Sequence, residues 1–177
     1  MKAYTNVNLV TCDSEFHVYR EGLLVVEDDR IAYCGPYDQA WLEKCSETVD
    51  YEGAWIMPGL VNCHTHSAMT LLRGIRDDSN LHEWLEYYIW PAESLFTAEV
   101  TTKAVQFALV EMLLSGTTTF NDMYNPHGVD IKQVYQAVRQ SGMRCYFSPT
   151  LFTSPAETAE ETLIRTRAII EEILSYD

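Results

Sequence analysis

The sequence predicts an α/β protein in which a small β region is followed by three strand–helix units. Strand-like segments fill residues 1–56, the pattern changes around Met57-Pro58-Gly59, and strands then alternate with helical stripes through residues 57–177. Such alternation is typical of a parallel sheet with right-handed crossover connections. The pattern therefore predicts two domains, residues 1–56 and residues 57–177.

The first domain reads as short strands joined by turns. Val7 and Leu9 alternate with polar neighbours, which is the period of a strand with one buried face. Residues 23–27 and 30–34 flank Asp28-Asp29, an acidic pair suited to a hairpin turn. We therefore expect an antiparallel hairpin in this region.

The second domain contains three strand candidates, at residues 59–64, 117–120 and 143–151. Thr97 is expected to cap the helix that ends before Gly116, and the stripe that begins at Ile131 predicts a helix that Gly142 ends. The last helix is expected to start with a capping box at residues 154–157. The predicted order is thus strand and helix, three times over.

Charge and cysteine usage narrow the class of protein. Acidic residues outnumber basic residues by 26 to 12, and the formal net charge of −14 argues against nucleic-acid binding. No stretch approaches the roughly 20 apolar residues that span a bilayer, and the N-terminus lacks the apolar core of a signal peptide. The five cysteines are odd in number and widely spaced, which suits a reducing cytosol better than a disulfide framework, so we expect a cytoplasmic protein without a membrane partner. None of them forms a C-x-x-C pair, which argues against a cysteine zinc site.

One pair of histidines indicates a metal site. His64 and His66 stand where the first strand of the second domain should end. Residues i and i+2 of a strand point to the same face, roughly 6.5–7 Å apart, so two imidazoles there can converge on one cation. Neutral imidazole suits zinc or iron, and parallel α/β folds collect their sites at the carboxyl ends of strands. The spacing predicts two ligands of one divalent metal, zinc first and iron as the alternative.

Residues 56–66, IMPGLVNCHTH, resemble the signature of deaminases and chlorohydrolases of the amidohydrolase superfamily. The similarity continues through five further segments, at residues 69–74, 83–85, 91–93, 116–119 and 121–124. Within the superfamily, the chain most resembles the methylthioadenosine and S-adenosylhomocysteine deaminases. The resemblance covers nearly the whole chain.

The resemblance implies a (β/α)8 TIM barrel, with its first three β/α units in residues 57–177 and part of a small β-sandwich in residues 1–56. It implies that His64 and His66 bind one divalent metal, and that a metal-activated water deaminates a purine nucleoside or a related N-heterocycle. The family's other ligands and its catalytic glutamate lie on later strands. The general base is therefore expected beyond Asp177.

The resemblance also implies residues that bind substrate. Glu93 stands where nucleoside-acting relatives use a glutamate to hold ribose hydroxyls, although it also reads as an ordinary helix-terminal acid. Trp84 matches an aromatic residue near the substrate, and it equally suits the apolar stripe of a helix. Asp122 ends the second strand, where it could orient a metal ligand without touching the metal. At residues 148–150, SPT replaces the arginine of adenosine-type relatives, so the substrate stays open between nucleoside and heterocycle.

The remaining polar candidates have weaker claims. His82 reads as a solvated helix residue, His127 as a loop residue near the second strand, and His17 as incidental. Asn62 shares strand parity with the histidine pair, which would place it on the same face, although packing explains this residue as well.

Three alternatives remain open beside the deaminase. The chain could serve dehalogenation or another amidohydrolase reaction, or it could be a catalytically incomplete fragment with a structural role. It could also be a small metal-binding module that uses His64 and His66, with His127 as an optional third ligand. The expected partners are a small-molecule substrate and either further copies of the chain or the remainder of the same protein. Because residues 1–177 offer two assignable ligands and an open sheet edge, we expect this segment alone to be inactive and not to be a stable monomer.

Overall fold

The structure, a computed structural model, describes residues 1–124, 130–151 and 158–176. These residues form two compact units, Met1–Pro58 and Gly59–Asp177. Each unit has its own sheet and its own cluster of buried apolar side chains.

The first unit is a five-stranded sheet with one short helix. Its elements are β1 (Lys2–Val10), β2 (Val18–Glu27), β3 (Arg30–Gly35), α1 (Gln39–Leu42), β4 (Glu47–Asp50) and β5 (Trp55–Ile56). The strand order is β3-β2-β1-β4, and β5 also pairs with β1. The β1–β2 and β2–β3 pairs are antiparallel, whereas β4 and β5 run parallel to β1.

The two local predictions for this unit are confirmed. Val7 and Leu9 are buried in β1, with exposed fractions of 0% and 1%. The turn between β2 and β3 is made by Asp28 and Asp29, and Asp28 adopts a φ of 51°. That left-handed conformation is one that a short polar side chain tolerates better than most.

The second unit alternates strands and helices around a parallel sheet. Its strands are β6 (Leu60–Thr65), β7 (Thr117–Tyr124) and β8 (Arg144–Pro149), in the order β6-β7-β8. Its helices are α2 (Leu81–Trp84), α3 (Trp90–Glu93), α4 (Ala98–Leu114), α5 (Ile131–Ser141) and α6 (Ala159–Leu174). A 3₁₀ segment (Ser67–Leu72) follows β6, and a π-helical turn (Leu85–Ile89) joins α2 to α3. The predicted α/β alternation is confirmed.

Helix ends follow local sequence signals. The Thr97 hydroxyl accepts a hydrogen bond from the Val100 N–H, and Gly142 ends α5 with a φ of 74°. The capping box predicted at residues 154–157 lies outside the described residues. The structure shows a capping box one turn later, between Thr158 and Glu161, so α6 starts at Ala159. Thr158 and Glu161 have the same spacing as the predicted pair, and either pair satisfies the pattern.

The core of the second unit lies between β7 and the helices. Phe120 of β7 is fully buried against six apolar residues of α4, α5 and the position just before β8, namely Val105, Leu109, Val134, Ala137, Val138 and Met143. One face of the sheet is therefore covered by helices, and the strand ends are held in fixed register. Within the described helices, none has the length and apolar character needed to cross a membrane.

Candidate metal centre

The carboxyl ends of β6 and β7 bring the histidine pair next to polar residues of the neighbouring strand. Thr65 pairs with Asp122 across the two strands, so His64 and His66 lie at the sheet edge where parallel strands end. The two imidazole rings meet edge to face, with centroids 5.1 Å apart and an interplanar angle of 83°. Both histidines are exposed, so a ligand can reach the pair.

An irregularity in β6 changes the face that its side chains occupy. Asn62 pairs with Phe120 and Thr65 pairs with Asp122, so β6 uses three residues where β7 uses two. Paired residues share a face of a sheet, which places Asn62 on the helix-covered face of Phe120. The expectation that Asn62 lies on the same face as the histidines is wrong. Its side-chain oxygen instead accepts a hydrogen bond from the His64 N–H at 3.1 Å.

The ring of His66 is anchored by the backbone of β7. Its Nδ1 lies 3.1 Å from the carbonyl oxygen of Met123. A carbonyl oxygen can only accept, so Nδ1 carries the proton and donates it, leaving the lone pair on Nε2 in the neutral ring. This is the arrangement by which a backbone carbonyl orients a metal-binding histidine.

Asp122 is buried, and both its carboxylate oxygens bind Ser67. The Ser67 N–H donates to Oδ1 at 2.9 Å, and the Ser67 hydroxyl donates to Oδ2. Burial raises the pKa of Asp122, while the hydrogen bonds from Ser67 and the nearby charge of His66 lower it in part. Asp122 therefore acts on the residue next to His66 rather than on an imidazole.

Trp84 lines a cleft together with His66, but Glu93 does not. A cleft of about 690 Å³ is lined by Thr65, His66 and Trp84, among others. Trp84 ends α2 immediately before the π-helical turn, where the Trp90 N–H donates to the Leu85 carbonyl. Pro91 follows, and its lack of an N–H removes an α-helical bond at this point. Glu93 ends α3 and is outside the set of residues that line the cleft.

Asn121 links the three strands below the histidine pair. Its Nδ2 donates to the Cys63 carbonyl oxygen at 3.3 Å, and the Ser148 hydroxyl donates to its Oδ1 at 2.6 Å. Cys63, Asn121 and Ser148 line a second groove of about 390 Å³ together with Tyr146. Sequence reasoning missed Ser67 and Asn121, because the only available signal was a polar residue next to a strand end.

The other histidines give no third ligand among the described residues. His127 lies outside the described part of the chain. The structure therefore does not test the alternative of a metal-binding module with His127 as third ligand. In the first unit, His17 lies 2.8 Å from Asp13 and 3.4 Å from Glu15, and His82 is exposed on α2. Where the chain is described, no cluster of three or more His, Cys, Asp or Glu side chains could hold a metal.

Parallel strands with helical crossovers and polar residues at their carboxyl ends define an α/β protein whose chemistry is expected at that edge. The chain belongs to the amidohydrolase family, whose model matches residues 55–175. This confirms the membership that residues 56–66 indicated.

The relatives and structural neighbours include deaminases and a chlorohydrolase. The chain is 43% identical over 163 residues to the 5-methylthioadenosine/S-adenosylhomocysteine deaminase of Bacillus cytotoxicus, a match that covers 92% of the chain and 38% of that protein. The chain thus spans well under half the length of this relative.

Two solved structures have a similar fold. One is an adenosine deaminase of Xanthomonas campestris with bound zinc (28% identity, TM-score 0.77, 97% of this chain and 39% of that one). The other is the atrazine chlorohydrolase of Arthrobacter aurescens TC1 complexed with zinc (19% identity, TM-score 0.81, 97% of this chain and 43% of that one).

Proposed function

We propose that this chain forms part of a metal-dependent deaminase that hydrolyses the exocyclic amine of a purine nucleoside or a related N-heterocycle. The observation that carries the proposal is the adjacent pair of imidazoles at the end of β6, with Nδ1 of His66 bonded to the Met123 carbonyl. The relatives named above as adenosine-type deaminases support the reaction class.

The architecture that we propose follows from the same similarity. The three parallel strands and their helices would be the first three units of a (β/α)8 barrel, and residues 1–56 would be part of a small β-sandwich. Amidohydrolase neighbours with TM-scores of 0.77 and 0.81 support this assignment. The remaining ligands and the general base would then come from parts of the protein outside residues 1–177.

The residues present fit a divalent metal as a partial ligand set. His64 and His66 would hold it, because neutral imidazole nitrogen suits zinc or iron and Nε2 of His66 has no proton in the tautomer that Met123 selects. When bound, such a metal supplies a water whose pKa is lowered to about 7. The zinc in both solved neighbours supports zinc for this site.

Substrate binding is proposed for Trp84 and Glu93. Trp84 is half-buried and lines the cleft with His66, so its ring can pack against a planar heterocycle. Glu93 would accept hydrogen bonds from vicinal ribose hydroxyls. It ends α3, whereas Trp84 ends α2, so the two residues would contact different parts of the substrate. Trp84 would thus recognise the base and Glu93 the sugar.

The cellular compartment of the protein, the inactivity of residues 1–177 alone and their association are also proposals. All five cysteines are free, which supports the cytoplasm. Residues 1–177 alone would be inactive, because a catalytic metal is typically held by three protein ligands and this segment offers two. Exposed apolar side chains on the sheet, such as Val61 and Tyr146, support association with further copies or with the remainder of the protein.

The test is the metal content of the full-length protein. His64→Ala and His66→Ala should each lose most of the metal, measured by elemental analysis after purification and dialysis. His82→Ala, at an exposed position of α2, is the matched control and should keep it. Wild-type stoichiometry in both variants of the pair would refute the proposed metal site.

A further inference from the structure

The turn that follows His66 is held from the neighbouring strand. The 3₁₀ segment begins at Ser67, directly after His66, and the His66 side chain makes no capping hydrogen bond to it. The first N–H groups of a helical segment need acceptors, which a local side chain usually supplies. Here Asp122 of β7 supplies the acceptor for Ser67 from 55 residues away in sequence.

Two successive residues of β7 therefore hold two successive residues after β6. The Met123 carbonyl binds the ring of His66, and the Asp122 carboxylate binds the backbone and hydroxyl of Ser67. Ser67 and Asp122 have exposed fractions of 1% and 3%, so water cannot replace either partner. A buried carboxylate that accepts two hydrogen bonds from one residue restrains that residue strongly.

We propose that Asp122 and Ser67 are a positioning pair, which fixes the backbone after His66 so that its ring meets both the Met123 carbonyl and the metal. This role rests on the proposed function, because it needs His66 as a ligand. Neither side chain touches the metal. Without the pair, the backbone at Ser67 can shift, and the His66 ring loses the orientation that its single bond to Met123 cannot hold alone.

The test uses the full-length protein and two measurements of the metal itself. Zinc affinity is measured by competition with a chromophoric chelator, and the ligand geometry by the visible absorption spectrum of the cobalt-substituted protein. We expect Asp122→Ala to weaken zinc binding about 10- to 100-fold and to change the cobalt spectrum, as loss of an orienting partner typically does. Asp122→Asn retains an acceptor for the Ser67 N–H and should recover most of the affinity.

Controls separate positioning from lost stability. Val134→Ala removes core packing between α5 and β7 and leaves Ser67 and Asp122 in place, so it should lower the thermal midpoint with an unchanged cobalt spectrum. Thr101→Val removes a buried hydroxyl of α4 that has no partner among the described residues. It should change neither the zinc affinity nor the cobalt spectrum. If Asp122→Ala folds poorly, Ser67→Ala, which removes only the hydroxyl bond, gives the test and should show a smaller loss in the same direction.

Two failures can be told apart. If His64→Ala and His66→Ala keep the metal, the metal site itself is wrong. If those variants lose the metal while folded Asp122→Ala and Ser67→Ala keep wild-type zinc affinity and the wild-type cobalt spectrum, the metal site stands and the positioning pair is refuted.

Discussion

Nδ1 of His66 lies 3.1 Å from the carbonyl oxygen of Met123, a bond that joins the residue after β6 to the last residues of β7. Because the carbonyl accepts only, this contact selects one tautomer of the neutral ring. The position of the proton on His66 therefore reports whether its ring contacts the Met123 carbonyl of β7.

We expect the neutral His66 ring of the metal-free protein to carry its proton on Nδ1. Selective ¹⁵N labelling of histidine should show one nitrogen with the chemical shift of a protonated Nδ1 and the other with that of an unprotonated Nε2. His66→Gln assigns the signals by removing them. Signals of the opposite tautomer would contradict the bond to Met123.

Glu93 provides the test of substrate class. We expect Glu93→Ala to raise KM for a purine ribonucleoside far more than for the free base, because a desolvated hydroxyl that loses its partner costs about 1–3 kcal/mol. That free energy corresponds to roughly 5- to 150-fold. Steady-state kinetics on both substrates give the comparison, with Glu99→Ala, exposed in the first turn of α4, as the control. Equal effects on nucleoside and base would exclude a nucleoside as the substrate and leave an N-heterocycle as the substrate class.

Gly59 precedes β6 where its backbone passes close to β7. A Cβ at this position would overlap the side chain of Thr118, whose own Cβ would be 2.7 Å away. We expect Gly59→Ala to lower the free energy of unfolding by about 1–3 kcal/mol, the usual cost of overpacking. Denaturant unfolding of the full-length protein measures the change.

Two further variants check the cause of this loss. Gly59→Ala combined with Thr118→Gly removes the overlapping atoms, and it should lose less stability than the two single changes added together. Gly53→Ala is a contrasting control for the steric overlap. No atom lies within 4 Å of the added Cβ, so a loss of stability there would come from backbone strain at its φ of 82°. Simple additivity of Gly59→Ala and Thr118→Gly would contradict the steric account.

Asp13 should ionise at an unusually low pH. Hydrogen bonds from the His17 ring, the His17 N–H and the Glu15 N–H hold the pKa of this carboxyl well below its ordinary range. A lowered pKa in the folded state stabilises the protein above the unfolded value of about 3.9, and that contribution is lost as the pH falls through the lowered pKa. The relevant window is therefore below about pH 4.

His17→Ala should raise the pKa of Asp13 towards its ordinary value. The carboxyl ¹³C shift of aspartate-labelled protein, titrated from neutral to acidic pH, measures the midpoint. Glu15→Ala keeps the bond between the His17 ring and Asp13 and should leave most of the shift in place. An unchanged midpoint in His17→Ala would show that the ring does not stabilise the carboxylate.

The local features of the fold could be read from the sequence. Thr97, Gly142 and the alternation of Val7 and Leu9 signal structure through their own neighbours, and each is found as predicted. The capping box of α6 shows the limit of such signals, because two consecutive stretches, residues 154–157 and 158–161, satisfy the same spacing. Among the described residues, Thr158 caps the helix.

The sequence by itself determined the α/β alternation, the family and the neighbouring histidines, because spacing along one strand is a local property. Only the tertiary structure decided that Asn62 faces away from the pair and that Asp122 binds Ser67. Both depend on the register of β6 against β7, two strands separated by a long helical crossover. Local patterns specify which residues alternate, but a single extra residue in one strand moves every later side chain to the other face.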